Sequence, residues 1–97
     1  MKISSKDKQK LKGFAHSIKH SVIIGKEGLS QNSINKIIKI LEDKELIKIK
    51  FNSFKEEKDS LAKEIETSCN AVIVGQIGNI LILFKQNPDI DKRKYII

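Results

Sequence analysis

Two glycines with two residues between them, in Gly25-Lys26-Glu27-Gly28, stand between the apolar run Val22-Ile23-Ile24 and Ser30. Glycine lets a chain turn through positive φ, or lets another molecule come close to the backbone, because no Cβ stands in the way. Ser30 is suited to cap a helix, and a helix starting there adds unpaired N–H groups and a partial positive charge. The chemistry this favours is anion binding, with phosphate the natural ligand. Lys26 is the side chain placed to touch such a group. Glu27 beside it cancels that charge, so binding must rest largely on backbone N–H groups, with affinity supplied by surrounding lysines. Lys12, Lys19, Lys36 and Lys39 are the flanking candidates. An isolated Gly-x-x-Gly is also an ordinary strand-to-helix turn, so its surroundings decide.

The charge distribution points the same way. The chain has 97 residues, with 19 Lys plus Arg against 12 Asp plus Glu, a net charge of +7. Residues 1–28 hold seven lysines and two acids, and so carry +5 of that charge. Such asymmetry describes a directed basic surface, of the kind nucleic acid attracts. KH modules use a Gly-x-x-Gly loop to hold a nucleic-acid backbone. A simple surplus of lysine explains the total, since 18 of the 19 basic residues are Lys, but not its placement.

Other chemistries find less support. Two histidines, His16 and His20, with one distant Cys69 do not make a metal site. No Ser-His-Asp order, Walker loop or dinucleotide fingerprint occurs, so neither an enzyme nor a cofactor is expected. Cys69 reads as a small buried hydrophobe, and a lone cysteine fits a reducing compartment, which makes the cytoplasm the expected address. No apolar run approaches the roughly 20 residues that span a bilayer, and no apolar segment follows the basic N-terminus as in a signal peptide. Base-stacking aromatics are scarce: Phe14, Phe51 and Phe84 are best placed in the core, and Phe54 is left for the surface. This favours recognition of backbone and shape in structured RNA over stacking of splayed bases.

The elements that must position these residues follow from periodicity. A basic helix after Ser4-Ser5 carries Leu11, Phe14 and Ala15 near its end. A strand is predicted at 20–24, then a helix at 30–44 with Ile34, Ile37, Ile38 and Leu41 in one stripe. Residues 46–51 alternate, with Ile47, Ile49 and Phe51 facing inward and Lys48 and Lys50 outward, on a sheet face open if the helices cover only the other side. A third helix at 55–69 carries Leu61, Ile65 and Cys69. Strands at 71–75 and 80–85 flank Gly78-Asn79, a hairpin signal. The order α-β-α-β-α-β-β predicts one domain, with the first three strands parallel and the fourth antiparallel. The segment from 86 to 97 has little pattern and is expected to be loosely attached.

With these elements placed, the sequence resembles the CRM domain family (chloroplast RNA splicing and ribosome maturation), in particular its stand-alone bacterial YhbY-type members. The resemblance is carried by Leu11-Lys12-Gly13, Ala15-His16, Ile18-Lys19, Ile24-Gly25-Lys26-Glu27-Gly28-Leu29, Leu41-Glu42 and Glu45-Leu46-Ile47-Lys48-Ile49-Lys50. It continues through Cys69-Asn70-Ala71, Gln76-Ile77-Gly78 and Leu83-Phe84-Lys85. Two departures stand out. His20 follows Ile18-Lys19 where the family commonly has Pro, and Phe84-Lys85 replaces a frequent Tyr-Arg, exchanging a forked guanidinium for a point charge.

The resemblance implies an α/β two-layer sandwich with a four-stranded mixed sheet, similar to the C-terminal domain of translation initiation factor three. It also implies RNA binding, and for the stand-alone members an association with precursors of the large ribosomal subunit. His16 lies in a family segment and joins the candidate RNA contacts, though a histidine closing a short helix also serves packing or capping. The expected protein is a non-catalytic monomer that needs no membrane. The alternative is a protein-interaction adaptor using the acidic residues Glu56, Glu57, Asp59, Glu64 and Glu66, with only non-specific affinity for nucleic acid.

Overall fold

The computed structural model describes residues 2–97. Its elements are α1 (Ser5–Ala15), β1 (Val22–Ile24), α2 (Gln31–Lys44), β2 (Leu46–Phe51), α3 (Lys58–Cys69), β3 (Val72–Ile77) and β4 (Ile80–Phe84), followed by a 3₁₀ turn at Ile90–Lys92. The starts of α1 and α2 are set by hydroxyl caps: Ser4 Oγ accepts from Asp7 N–H (3.1 Å) and Ser30 Oγ from Ser33 N–H (3.2 Å). α3 ends at Asn70, in the left-handed region, where Ala71 N–H bonds back to Glu66 O at 3.0 Å. α3 starts later than the sequence suggests, because Phe54 sits at a φ of 57° and turns the chain before helix can begin.

The sheet has the order β1-β2-β4-β3. β1 pairs with β2 in parallel, and β4 lies antiparallel between β2 and β3. The first three strands therefore run in one direction and the fourth against them, as the connections require. Gly78, at a φ of 57°, takes the first central position of the two-residue hairpin between Ile77 and Ile80. β4 is central, which explains its unbroken apolar run: Leu81, Ile82, Leu83 and Phe84 are all buried.

Strand alternation divides the core between two faces. Ile47, Ile49, Phe51, Leu81 and Leu83 pack beneath α2 and α3, with Ile34, Ile37, Leu41, Ala62, Ile65 and Cys69. Leu46, Ile82 and Phe84 face the other way, where Leu11 and Ala15 of α1 pack with Val74. The helical layer on the first face is α2 and α3, while α1 covers part of the second. The face carrying Lys48 and Lys50 is therefore only partly open, and both lysines are half-buried.

The expectation of a loosely attached tail is corrected. Glu45 is the one charged side chain buried among the described residues (1% exposed), and its carboxylate accepts the backbone N–H groups of Asn87 (2.6 Å), Lys94 and Tyr95. The Tyr95 ring packs against Phe14 and Phe84, with centroids 5.3 and 6.3 Å away. A buried carboxylate must find donors, and the tail supplies them. Burial, followed by the neighbouring Glu45 charge, pushes the Tyr95 phenol up from its ordinary range.

Candidate nucleic-acid interface

The Gly25–Gly28 turn sits where β1 ends and α2 is about to begin. Gly28 N–H donates to Gly25 O (3.0 Å), closing a four-residue turn. Neither Lys26 nor Glu27 has a positive φ, so the turn is type I, and Gly28 follows in the left-handed region at 72°. This right-to-left succession is the conformation in which successive backbone N–H groups converge on an anion. Just beyond, α2 contributes more donors. Ser33 N–H is held by Ser30 Oγ and Ile34 N–H by Ser30 O, while those of Gln31 and Asn32 have no acceptor among the described residues.

The two glycines serve different ends. Gly28 needs its positive φ, and a Cβ there would lie 3.1 Å from Phe54 Cε2. Gly25 is not in the left-handed region, and a Cβ there would meet nothing within 4 Å. Neither backbone conformation nor packing requires glycine at 25. What a side chain would change is how closely another molecule can approach the turn.

The side chains singled out by sequence divide between regions. Lys26 and Glu27 are exposed at the turn. Lys36 and Lys39 are exposed on α2, about 9 and 13 Å along the axis from Ser30 by helical rise. Lys19 lies at the opposite end of α2, where it lines a shallow depression with His20, Asp43 and Lys44, some 20 Å from the turn by the same rise. His16 is exposed at the C-cap of α1, where its backbone N–H bonds to Gly13 O.

Lys12 belongs to a third region. Its side chain crosses Gly75 so closely that a Cβ there would meet Lys12 Cε at 2.6 Å. Gly75, Ile82 and Lys48 form one cross-strand row, so Lys12 and Lys48 share a sheet face about 10 Å apart by strand spacing. The next row is Ile77, Ile80, Lys50 and Ile23, with Ile77 and Ile23 61% and 50% exposed. This row leads through Ile24 directly into the turn. Sequence reasoning did not see that α1 would bring Lys12 to this face, nor that Ile23 and Ile77 would stay uncovered. Strand alternation at Ile23 was the available signal.

Around the turn the side-chain charges nearly balance. Lys58 is committed to Gly78 O (2.9 Å), and Glu56 and Glu57 are exposed beside Phe54. The acidic face of α3 is partly structural, because Glu66 accepts from Ile73 N–H at 2.7 Å. Burial pushes the Cys69 thiol up, with Lys85 opposing, so the thiol stays protonated. Among the described residues no group of three or more His, Cys, Asp or Glu side chains is placed to hold a metal ion.

Residues 3–85 match the CRS1 / YhbY (CRM) domain. "Probable RNA-binding protein YqeI" of Bacillus subtilis is 30% identical, with 90% of this chain and 92% of that protein aligned. An RNA-binding protein of Haemophilus influenzae is 34% identical over 90% of this chain and 89% of its own length. The solution structure of a hypothetical Staphylococcus aureus protein, described as a candidate RNA-binding protein, superimposes with a TM-score of 0.79 at 28% identity, covering 98% of this chain and all of that one. Sequence and fold agree: the chain belongs to the CRS1 / YhbY (CRM) domain family.

Proposed function

We propose that this protein binds structured RNA, seating a backbone phosphate against the N–H groups of the Gly25–Gly28 turn and the start of α2. Lysines 26, 36 and 39 flank that seat, and Lys12, Lys48 and Lys50 extend it over the open part of the sheet. The observation that carries this reading is Gly25, a glycine that neither backbone nor packing calls for, at a turn where Lys26, Glu27 and Leu29 N–H have no acceptor among the described residues. Membership of the CRM family and the names of the relatives support RNA as the ligand class.

The finer reading is that the RNA is ribosomal and the protein is a non-catalytic cytoplasmic factor acting on precursors of the large ribosomal subunit. Its support is the resemblance to stand-alone YhbY-type proteins. Two measurements test these levels separately. Gly25→Asp places a like charge at the proposed phosphate seat and should weaken RNA binding tenfold or more, about 1.4 kcal/mol, without loss of fold. Sedimentation of lysate should show co-migration with large-subunit precursors that nuclease abolishes. Co-migration surviving nuclease would favour a protein adaptor instead.

A further inference from the structure

Phe54 is large, 41% exposed and absent from both core clusters. Its φ of 57° is a conformation that costs a bulky residue backbone strain, and such strain persists only where the surroundings fix it. Here they do: Asn52 and Ser53 N–H groups both donate to Ile24 O (3.0 and 3.2 Å), and Glu57 N–H donates to Phe54 O (3.1 Å). The ring edge lies against Gly28, with Cε2 and Cζ 3.1 and 3.2 Å from where a Cβ would stand. An aromatic surface is thus held rigidly at the rim of the anion turn with much of its area open. Beside it Lys55 and Lys58 offset Glu56 and Glu57, so this flank carries no net charge and the ligand part suited to it is uncharged and flat.

We propose that Phe54 is the stacking platform for one unpaired nucleobase, joined through its sugar to the phosphate seated in the turn. The proposal rests on the reading of Gly25–Gly28 as a phosphate site and narrows the ligand to structured RNA with an unstacked nucleotide at the contact. A base presents a π-face whatever its identity, so the platform fixes register without demanding a sequence.

The test uses the whole protein and a short RNA hairpin carrying 2-aminopurine at each single-stranded position in turn. Wild type should quench one position on binding. Phe54→Leu, which keeps an apolar side chain over Gly28, should abolish that quench and bind about tenfold more weakly, within the range of losing one base–aromatic stack. Making that nucleotide abasic should weaken wild type by a similar factor and leave Phe54→Leu unaffected. Absence of any quenched position with wild type would overturn the proposal whether or not the variant folds, and so would a folded Phe54→Leu that binds like wild type. If Phe54→Leu lost association with ribosomal particles but bound the naked hairpin normally, the ring would face a protein and the proposal would fail. Gly25→Asp separates the two levels: loss of binding there with normal Phe54→Leu removes only the stack, whereas normal binding by Gly25→Asp removes the phosphate seat itself.

Discussion

The two ends of α2 each gather backbone N–H groups, one set on an internal carboxylate and the other at the proposed phosphate seat. Before its N-terminus, Gly28 takes a left-handed conformation at 72°, and apart from its own N–H, bonded to Gly25 O, the N–H groups from Lys26 to Leu29 have no acceptor among the described residues. At its C-terminus, Glu45 takes a φ of 63°, and three backbone N–H groups of the tail gather on its own carboxylate. One cluster is closed by an internal anion and buried, and it fastens the chain. The other is open to solvent at a place where glycine keeps the approach clear. Backbone donors gathered on an anion serve folding where the chain supplies the anion; where it does not, they are free for the recognition proposed above.

Removing the internal anion should have the largest effect on stability. Glu45→Ala strands three part-buried N–H groups, each costing at most about 1–3 kcal/mol, so a net loss of about 3 kcal/mol is expected by denaturant unfolding. Glu45→Gln retains an acceptor and should lose less. Both variants, measured where they remain folded, should bind RNA nearly as wild type does, because the tail is remote from the turn.

The two glycines sharpen the contrast. Gly28→Ala should cost about 1–2 kcal/mol of stability, since it forces a Cβ into the left-handed region and against the Phe54 ring. Gly25→Ala should leave stability unchanged or raise it by up to about 0.5 kcal/mol while weakening RNA binding, an opposition a merely structural glycine would not show. Electrostatic effects come next. Replacing Lys12 and Lys48 together should reduce the salt slope of RNA affinity by roughly one to two, whereas Lys19→Ala, at the far end of α2, should change it by less than one.

The smallest effect concerns Tyr95, the chain's only tyrosine. Burial and then Glu45 raise its phenol above the ordinary value, so the folded state holds that proton more tightly than the unfolded chain. Its contribution is complete below the ordinary phenol pKa of about 10 and is lost as pH rises beyond it. Phenolate absorbance should therefore appear at higher pH in folded than in urea-unfolded protein. Tyr95→Phe should remove that part of the alkaline loss of stability.

What was legible in the sequence was what local pattern encodes. The Ile34-Ile37-Ile38-Leu41 stripe, the alternation through Phe51, the Ser30 cap and the Gly78-Asn79 hairpin all read directly, because each is set by neighbours in the chain. The position of α1 did not. Its two buried anchors, Leu11 and Ala15, fit either face of a sheet, and only the doubly buried β4 leaves the second face needing cover. The tail was illegible for a stronger reason: its anchor is a carboxylate over 40 residues away, and backbone donors carry no side-chain signature. Within the candidate site, the turn and its flanking lysines were visible. The separation of Lys19 from it and the juxtaposition of Lys12 with Lys48 arise only from strand order and from the packing of α1 on the second sheet face. Phe54 stood out as an aromatic in a polar connection, but its strained backbone and its contact with Gly28 are tertiary facts.

The comparison between the two donor clusters can be read in one experiment. Amide shifts of ¹⁵N-labelled protein, followed while structured RNA is titrated in, report each backbone N–H separately. The expected result is that the largest changes fall on Lys26 to Asn32, with smaller ones around Lys48 and Lys50, while Asn87, Lys94 and Tyr95, already bonded to Glu45, do not move. Amides of the turn and of the first turn of α2 that stay fixed while RNA binds elsewhere would contradict the assignment of the phosphate seat.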